Sequence, residues 1–311
     1  MNLVHIGLQR TGNSLLKNAV FSKLGNYLYI GKWNERYPND HVRELINRIS
    51  FQDSLDYEPA GVKRLLNDIR GTDARPTLIS DEIFSVEGRA DRRLIADRLH
   101  ELFAPAKVLI VLRSQTTMVQ AIYLKHLAAL GSRIVPFERW LEENYGRLVF
   151  RDVHRMHLNY EPLVRLYCSV FGSENVVVLP SELAHDEASN FARDVAGLLG
   201  VSVDSVRESL RINRTDQRVS RRVLMIHRLE SVLPAGTNLA LTGRGVLPAT
   251  LYERIKRYAG RGAPLGAPPL SQEWQRRMTE ICGQGNLMLE RATGLPLRNL
   301  GYPMPPRQAS A

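Results

Sequence analysis

The chain of 311 residues has only two cysteines, Cys168 and Cys282, far apart and without metal-ligand spacing. A disulfide framework is therefore not expected, and each thiol reads as a small buried group in a reducing compartment. No zinc-finger or RNA-stacking motif accompanies the basic residues, so nucleic acid is not the expected partner. The longest apolar runs, such as Val108–Leu112, fall far short of the roughly 18–20 residues that a membrane span needs. Leu3–Gly7 reads as a strand feeding a loop and lacks the charged and apolar regions of an export signal, which makes the cytoplasm the expected location. No internal repeat is visible.

What is present is the composition of a folded enzyme, 44% hydrophobic and 24% charged. The length sits at the upper end of what one core supports, so one main domain with helical additions is expected. A formal net charge of +10 favours an anionic ligand, because a positive cleft concentrates phosphates and sulfates.

Four short, continuously apolar runs predict parallel strands covered on both faces: Leu3–Ile6, Thr77–Ser80, Val108–Leu112 and Val176–Leu179. Helical periodicity lies between and after them, at Ser14–Leu24, Asp91–Leu102, Thr117–Leu130, Pro162–Phe171 and Ala188–Leu199. Strands alternating with helices predict an α/β fold, a parallel sheet with helices on both faces, over residues 1–220. Residues 221–302 read as a helical extension without strands, with helices at Gln217–Leu233, Pro248–Tyr258 and Ser271–Ala292 and a turn-rich loop at Gly260–Pro269. Residues 303–311 read as a disordered tail.

Three strand ends carry the chemistry. After the first strand, Gly7-Leu8-Gln9-Arg10-Thr11-Gly12-Asn13-Ser14 enters a helix, where backbone N–H groups and the helix dipole attract a phosphate. The spacing is that of a nucleotide-binding P-loop, except that Asn13 stands where the lysine belongs. Asparagine cannot replace that charge, so ATP hydrolysis loses a principal electrostatic contact; the positive charge sits instead at Arg10. The second strand ends in Asp81-Glu82. Glu82 is placed to take a proton, with a pKa expected to be raised by partial burial. The same pair also reads as a magnesium-holding Walker B end, or as partners for Arg89, Arg92 or Arg93. The third strand ends in Arg113-Ser114, and the planar fork of arginine matches phosphate oxygens.

Together these segments resemble the sulfotransferases that use 3′-phosphoadenosine 5′-phosphosulfate, in a P-loop-like fold of the bacterial or carbohydrate-modifying branch. The resemblance covers residues 1–220, including the Gly172-Ser173-Glu174-Asn175-Val176 entry to the fourth strand. It implies that Arg10, Thr11, Gly12, Asn13, Ser14 and Leu15 hold the 5′-phosphosulfate and that Glu82 is the base. It further implies that Arg113 and Ser114 grip the 3′-phosphate, and that Arg214 and Arg218 close over the donor. No metal is needed, and adenosine 3′,5′-bisphosphate is the product. The acceptor is a small molecule, carbohydrate or lipid. Two departures stand out. Arg10 replaces the usual lysine and is a poor proton donor, and Ala121 replaces a 3′-phosphate serine. Two other readings remain: a kinase or ATPase using magnesium-ATP, and a nucleotide-binding relative that has lost catalysis. His154 and His157, three apart, lack a third metal ligand, and His5 reads as a core histidine.

Overall fold

In the computed structural model the described residues are 1–8, 11, 16–33, 36–85, 91–128, 135–146, 158–186, 189–212, 220–222, 224, 254, 258 and 262–306. Five strands form one parallel sheet: β1 (Asn2–Gly7), β2 (Leu28–Gly31), β3 (Thr77–Asp81), β4 (Ala106–Leu112) and β5 (Val176–Pro180). Four of them are the strands the apolar runs predict; β2 is additional. The strand order is β2-β3-β1-β4-β5. The chain thus leaves β1 toward one edge and later crosses to β4 on the other side. That makes the carboxyl ends of β1 and β4 the topological switch point, where open α/β sheets place ligands. Register aligns these ends: Ile6 sits opposite both Asp81 and Ile110, and Gly7 opposite Val111.

Helices cover both faces. After β2 come α1 (Asp40–Phe51) and α2 (Pro59–Arg70), and after β3 comes α3 (Arg92–Phe103). Neither α1 nor α2 follows from the periodicity reading above, yet both carry start signals. The Asn39 side chain caps α1 by accepting from Val42 N at 2.9 Å, and Pro59 opens α2, where its missing N–H costs nothing. Next in the chain are α4 (Gln115–Ala128), α5 (Phe137–Leu141), α6 (Tyr160–Phe171), α7 (Phe191–Leu199) and α8 (Val203–Ile212), followed by α9 (Gln272–Met278) and α10 (Gln284–Thr293). On one face Leu3, Leu78, Leu109, Val111 and Leu179 pack against Phe21 and the apolar stripes of α7 and α8. On the other, α3 packs on β1 and α6 on β4. Gly200 ends α7 in the left-handed region at φ 65°, the conformation that glycine adopts without a Cβ penalty.

The chain divides into two compact units. The first comprises Met1–Gln115, Asp152–Arg214 and Arg277–Ala311; the second comprises Thr116–Arg151 and Thr215–Arg276. These bounds differ from a simple core followed by an extension: the last helix and the residues after it belong to the unit that carries the sheet. Pro303 and Pro305, expected in a loose tail, are held there. Asn286 donates to Pro303 O at 2.9 Å and Arg298 to Pro305 O at 3.0 Å. The remainder of that expected tail, residues 307–311, lies outside the described set. Within the second unit, Tyr123, Phe137, Trp140 and Tyr145 form a buried ring cluster, and Tyr123 donates to Val135 O at 2.8 Å. Among the described residues no helix is long and apolar enough to cross a membrane.

Candidate functional site

The carboxyl end of β3 gathers two carboxylates, two lysines and a tyrosine. Asp81 is fully buried, and both its oxygens are engaged. Oδ1 accepts from Ile83 N at 3.0 Å and from Lys32 Nζ at 3.3 Å, and Oδ2 accepts from Tyr37 Oη at 2.8 Å. A buried carboxylate is tolerable only with such a partner set. Glu82, one residue on, begins a short 3₁₀ turn and is 31% exposed. Its Oε1 accepts from Lys17 Nζ at 2.6 Å, while Oε2 faces Lys32 Nζ at 3.8 Å. Oε2 is thus the oxygen with the longer contact to a lysine.

The two lysines come from different strand ends. Lys17 lies in the turn Leu16–Val20 that follows the loop after β1, with its side chain only 4% exposed. Lys32 follows β2 directly, and its carbonyl accepts from Tyr29 Oη at 3.0 Å. Gly31 permits this close packing: a Cβ there would lie 2.6 Å from both Ser80 O and Tyr29 Oη. Ser85 Oγ reaches Gly7 O at 2.7 Å and Glu82 O at 2.9 Å, tying the end of β1 to the end of β3.

This arrangement corrects one expectation. Burial does push the Glu82 carboxyl upward, but the charge and hydrogen bond of Lys17, the residue's own backbone and the charge of Lys32 outweigh it, and the pKa lies below the ordinary value. Glu82 is ionised at neutral pH. The alternative partners also differ from expectation. Lys17 and Lys32 pair with the acidic residues, Arg93 pairs with Asp97 at 3.0 Å, and Arg89 lies outside the described residues.

Beneath the pair lies His5, fully buried, with Nδ1 2.7 Å from Ser80 Oγ and its ring edge-on to Phe21. Nε2 has no hydrogen-bond partner among the described residues. Burial first, and the charge of Lys17 second, push its pKa down to about 3, against a smaller upward pull from Glu82. The ring is neutral at physiological pH.

Across the switch point, Arg113 follows β4. Its carbonyl accepts from Tyr160 Oη at 2.7 Å. Ser114 is buried; its amide donates to Glu182 Oε1 at 2.8 Å and its hydroxyl to Gly301 O at 2.7 Å, so both of its donors face protein acceptors. Thr11 is likewise buried and donates to Leu8 O at 2.8 Å, just past the end of β1. Arg10, Gly12, Asn13, Ser14, Leu15, Arg214, Arg218, His154 and His157 lie outside the described residues, as does most of the span expected as helices at Gln217–Leu233 and Pro248–Tyr258. Of the three tryptophans, Trp140 and Trp274 are buried and Trp33 is exposed.

The motif reading names Glu82 and Arg113, which follow β3 and β4, and does not name Lys17, Lys32 or Tyr37, which surround the acidic pair. Lys17 had a signal: a lysine between Leu16 and Ala19-Val20, all on the buried side of the turn, is a charge that requires a partner.

Compared with known proteins, the chain is similar in fold to the crystal structure of a sulfotransferase from Alicyclobacillus acidocaldarius. The match has 17% identity and a TM-score of 0.54, and it covers 96% of this chain and 98% of that one. No protein-family model and no curated protein matches the sequence.

Proposed function

We propose that the chain transfers a sulfuryl group from 3′-phosphoadenosine 5′-phosphosulfate to a hydroxyl or amine acceptor. One observation carries the reading: an ionised glutamate, held between two lysines at the end of β3, shares the switch-point edge of the sheet with an arginine at the end of β4. A base facing a cluster of cations suits a reaction in which an acceptor proton leaves while negative charge builds on a departing phosphate.

In this reading Arg10, Thr11, Gly12, Asn13, Ser14 and Leu15 bind the donor's 5′-phosphate, Arg113 binds its 3′-phosphate, and Arg214 and Arg218 cover it. Glu82 Oε2 takes the acceptor proton as the acceptor oxygen or nitrogen bonds to sulfur. The bond from sulfur to the bridging oxygen breaks, and adenosine 3′,5′-bisphosphate departs. Arg10, always charged, stabilises that oxygen without protonating it. Lys17, only 4% exposed, adds a buried cation beside the base, in place of the lysine that Asn13 replaces.

The magnesium-ATP reading needs Asp81 as a metal ligand. Its oxygens already accept from Ile83 N, Tyr37 and Lys32, and a metal would have to displace these donors. The test is release of adenosine 3′,5′-bisphosphate from the donor over a panel of hydroxyl and amine acceptors, in the presence of a chelator. The expected outcome is turnover that falls by about 10²–10³ in Glu82→Gln. Equal rates in the wild type and Glu82→Gln would remove Glu82 from the chemistry. Tight bisphosphate binding with no turnover on any acceptor would favour the inactive relative.

A further inference from the structure

The turn that carries Arg113 is fastened by the far end of the chain. Three consecutive residues are each held. Arg113 is held through its carbonyl by Tyr160, and Ser114 through its amide by Glu182 and its hydroxyl by Gly301. Gln115 is held through its side chain, which donates to Leu158 O and to Asn286 Oδ1, both at 2.8 Å. Most of these holders lead to one segment, Gly301–Pro303. Glu182 uses its second oxygen to accept from Tyr302 Oη at 3.2 Å, and Asn286 donates to Pro303 O at 2.9 Å. Gly301 is itself the acceptor for Ser114, 187 positions away in sequence. The segment closes onto the turn that precedes it, where Tyr302 N donates to Leu297 O at 3.1 Å.

Ser114, Gln115, Asn286 and Tyr302 are all at most 3% exposed. A buried polar network of this kind specifies a geometry that apolar packing alone leaves loose. Bidentate phosphate recognition by arginine needs such definition, because displacing a group by about 1 Å forfeits much of its effect.

We propose that Gly301–Pro303 is a strap that positions Arg113 for the donor's 3′-phosphate, with Tyr302 and Glu182 as positioning residues that do not touch the donor. This rests on the reading of Arg113 given above. Burial, the charge of Glu182, Tyr160 and the hydrogen bond to Glu182 hold the Tyr302 hydroxyl protonated, with the Arg113 charge as a smaller opposing influence.

The test compares adenosine 3′,5′-bisphosphate with adenosine 5′-phosphate by calorimetry, using the full chain. In the wild type the bisphosphate should bind more tightly; the absence of any preference would overturn the role of Arg113 and the strap with it. Given that preference, Tyr302→Phe should weaken the bisphosphate by about tenfold, the loss of one hydrogen bond to a charged group, and leave adenosine 5′-phosphate within about twofold. Glu182→Gln, which keeps the shape of the side chain, should do the same. An equal loss for both ligands would make the segment merely structural, and no loss for either would free Arg113 from it; either result overturns the proposal while leaving the sulfuryl-transfer reading intact.

Discussion

Replacing Lys17 by methionine removes a buried cation while keeping most of its volume, and the consequence should depend strongly on pH. Lys17 Nζ lies 2.6 Å from Glu82 Oε1, and the two side chains are 4% and 31% exposed. At an effective dielectric of about 20 the direct attraction at this distance is about 6 kcal/mol, and desolvation of both groups offsets much of it. Stranding the carboxylate should therefore cost about 2–4 kcal/mol of stability at neutral pH. In the wild type the carboxyl's folded pKa lies below its ordinary 4.5, so the pair's contribution is fully present above that value and is lost as pH falls through the folded pKa. In the variant, burial is the largest remaining influence and raises the pKa, so the carboxyl takes up its proton early and stops penalising the fold. The stability gap between the two proteins should be widest near neutral pH and should close as pH falls below the folded pKa. Urea unfolding at both ends of that range reads the gap, and Glu82→Gln added to Lys17→Met should recover most of the loss at neutral pH. A gap that is the same at both pH values, or a double variant no more stable than Lys17→Met alone, would refute the reasoning.

Three further outcomes are expected. Tyr37→Phe removes one donor from the buried carboxylate of Asp81 and should cost about 1–3 kcal/mol in urea unfolding, with Lys32 left as the remaining charged partner. Gly31→Ala would press a methyl within 2.6 Å of Ser80 O and Tyr29 Oη, and should lower stability by about 1–3 kcal/mol, read by thermal unfolding. The His5 ring should show no NMR titration between about pH 8 and pH 5, since burial holds its pKa down to about 3. Because its folded value lies below the ordinary 6.5, folding should grow less favourable as pH falls below that point.

The sheet was legible wherever strands were covered on both faces. β1, β3 and β4 are buried along nearly their whole length and so appear as largely apolar runs, while β5, half-buried over Val176–Val178 at the other edge, is marked by its run of valines. β2 escaped because Leu28–Gly31 is four residues long, at the sheet edge, and ends in a glycine whose reason, the close approach of Tyr29 and Ser80, exists only in the folded chain. The strand-end residues stood out for a similar reason. Glu82 and Arg113 abruptly follow apolar runs, and parallel strands bring such ends to one edge. The ionisation of Glu82 was not legible. It depends on Lys17 and Lys32, which are 65 and 50 positions away in sequence and whose geometry is set by how the β1 and β2 loops converge. The strap was hidden for the same cause: Gly301-Tyr302-Pro303 reads as a turn signal before a tail, and only the fold reveals Glu182, Ser114 and Asn286 as its partners.

Calorimetric binding of adenosine 3′,5′-bisphosphate without metal, set against ATP with magnesium, tests the central claim most directly. Tighter binding of the bisphosphate, weakened by Arg113→Ala, is the result predicted here. Preference for ATP with magnesium, unaffected by Arg113→Ala, would contradict the account and make Asp81 and Glu82 metal-side groups of a phosphotransferase.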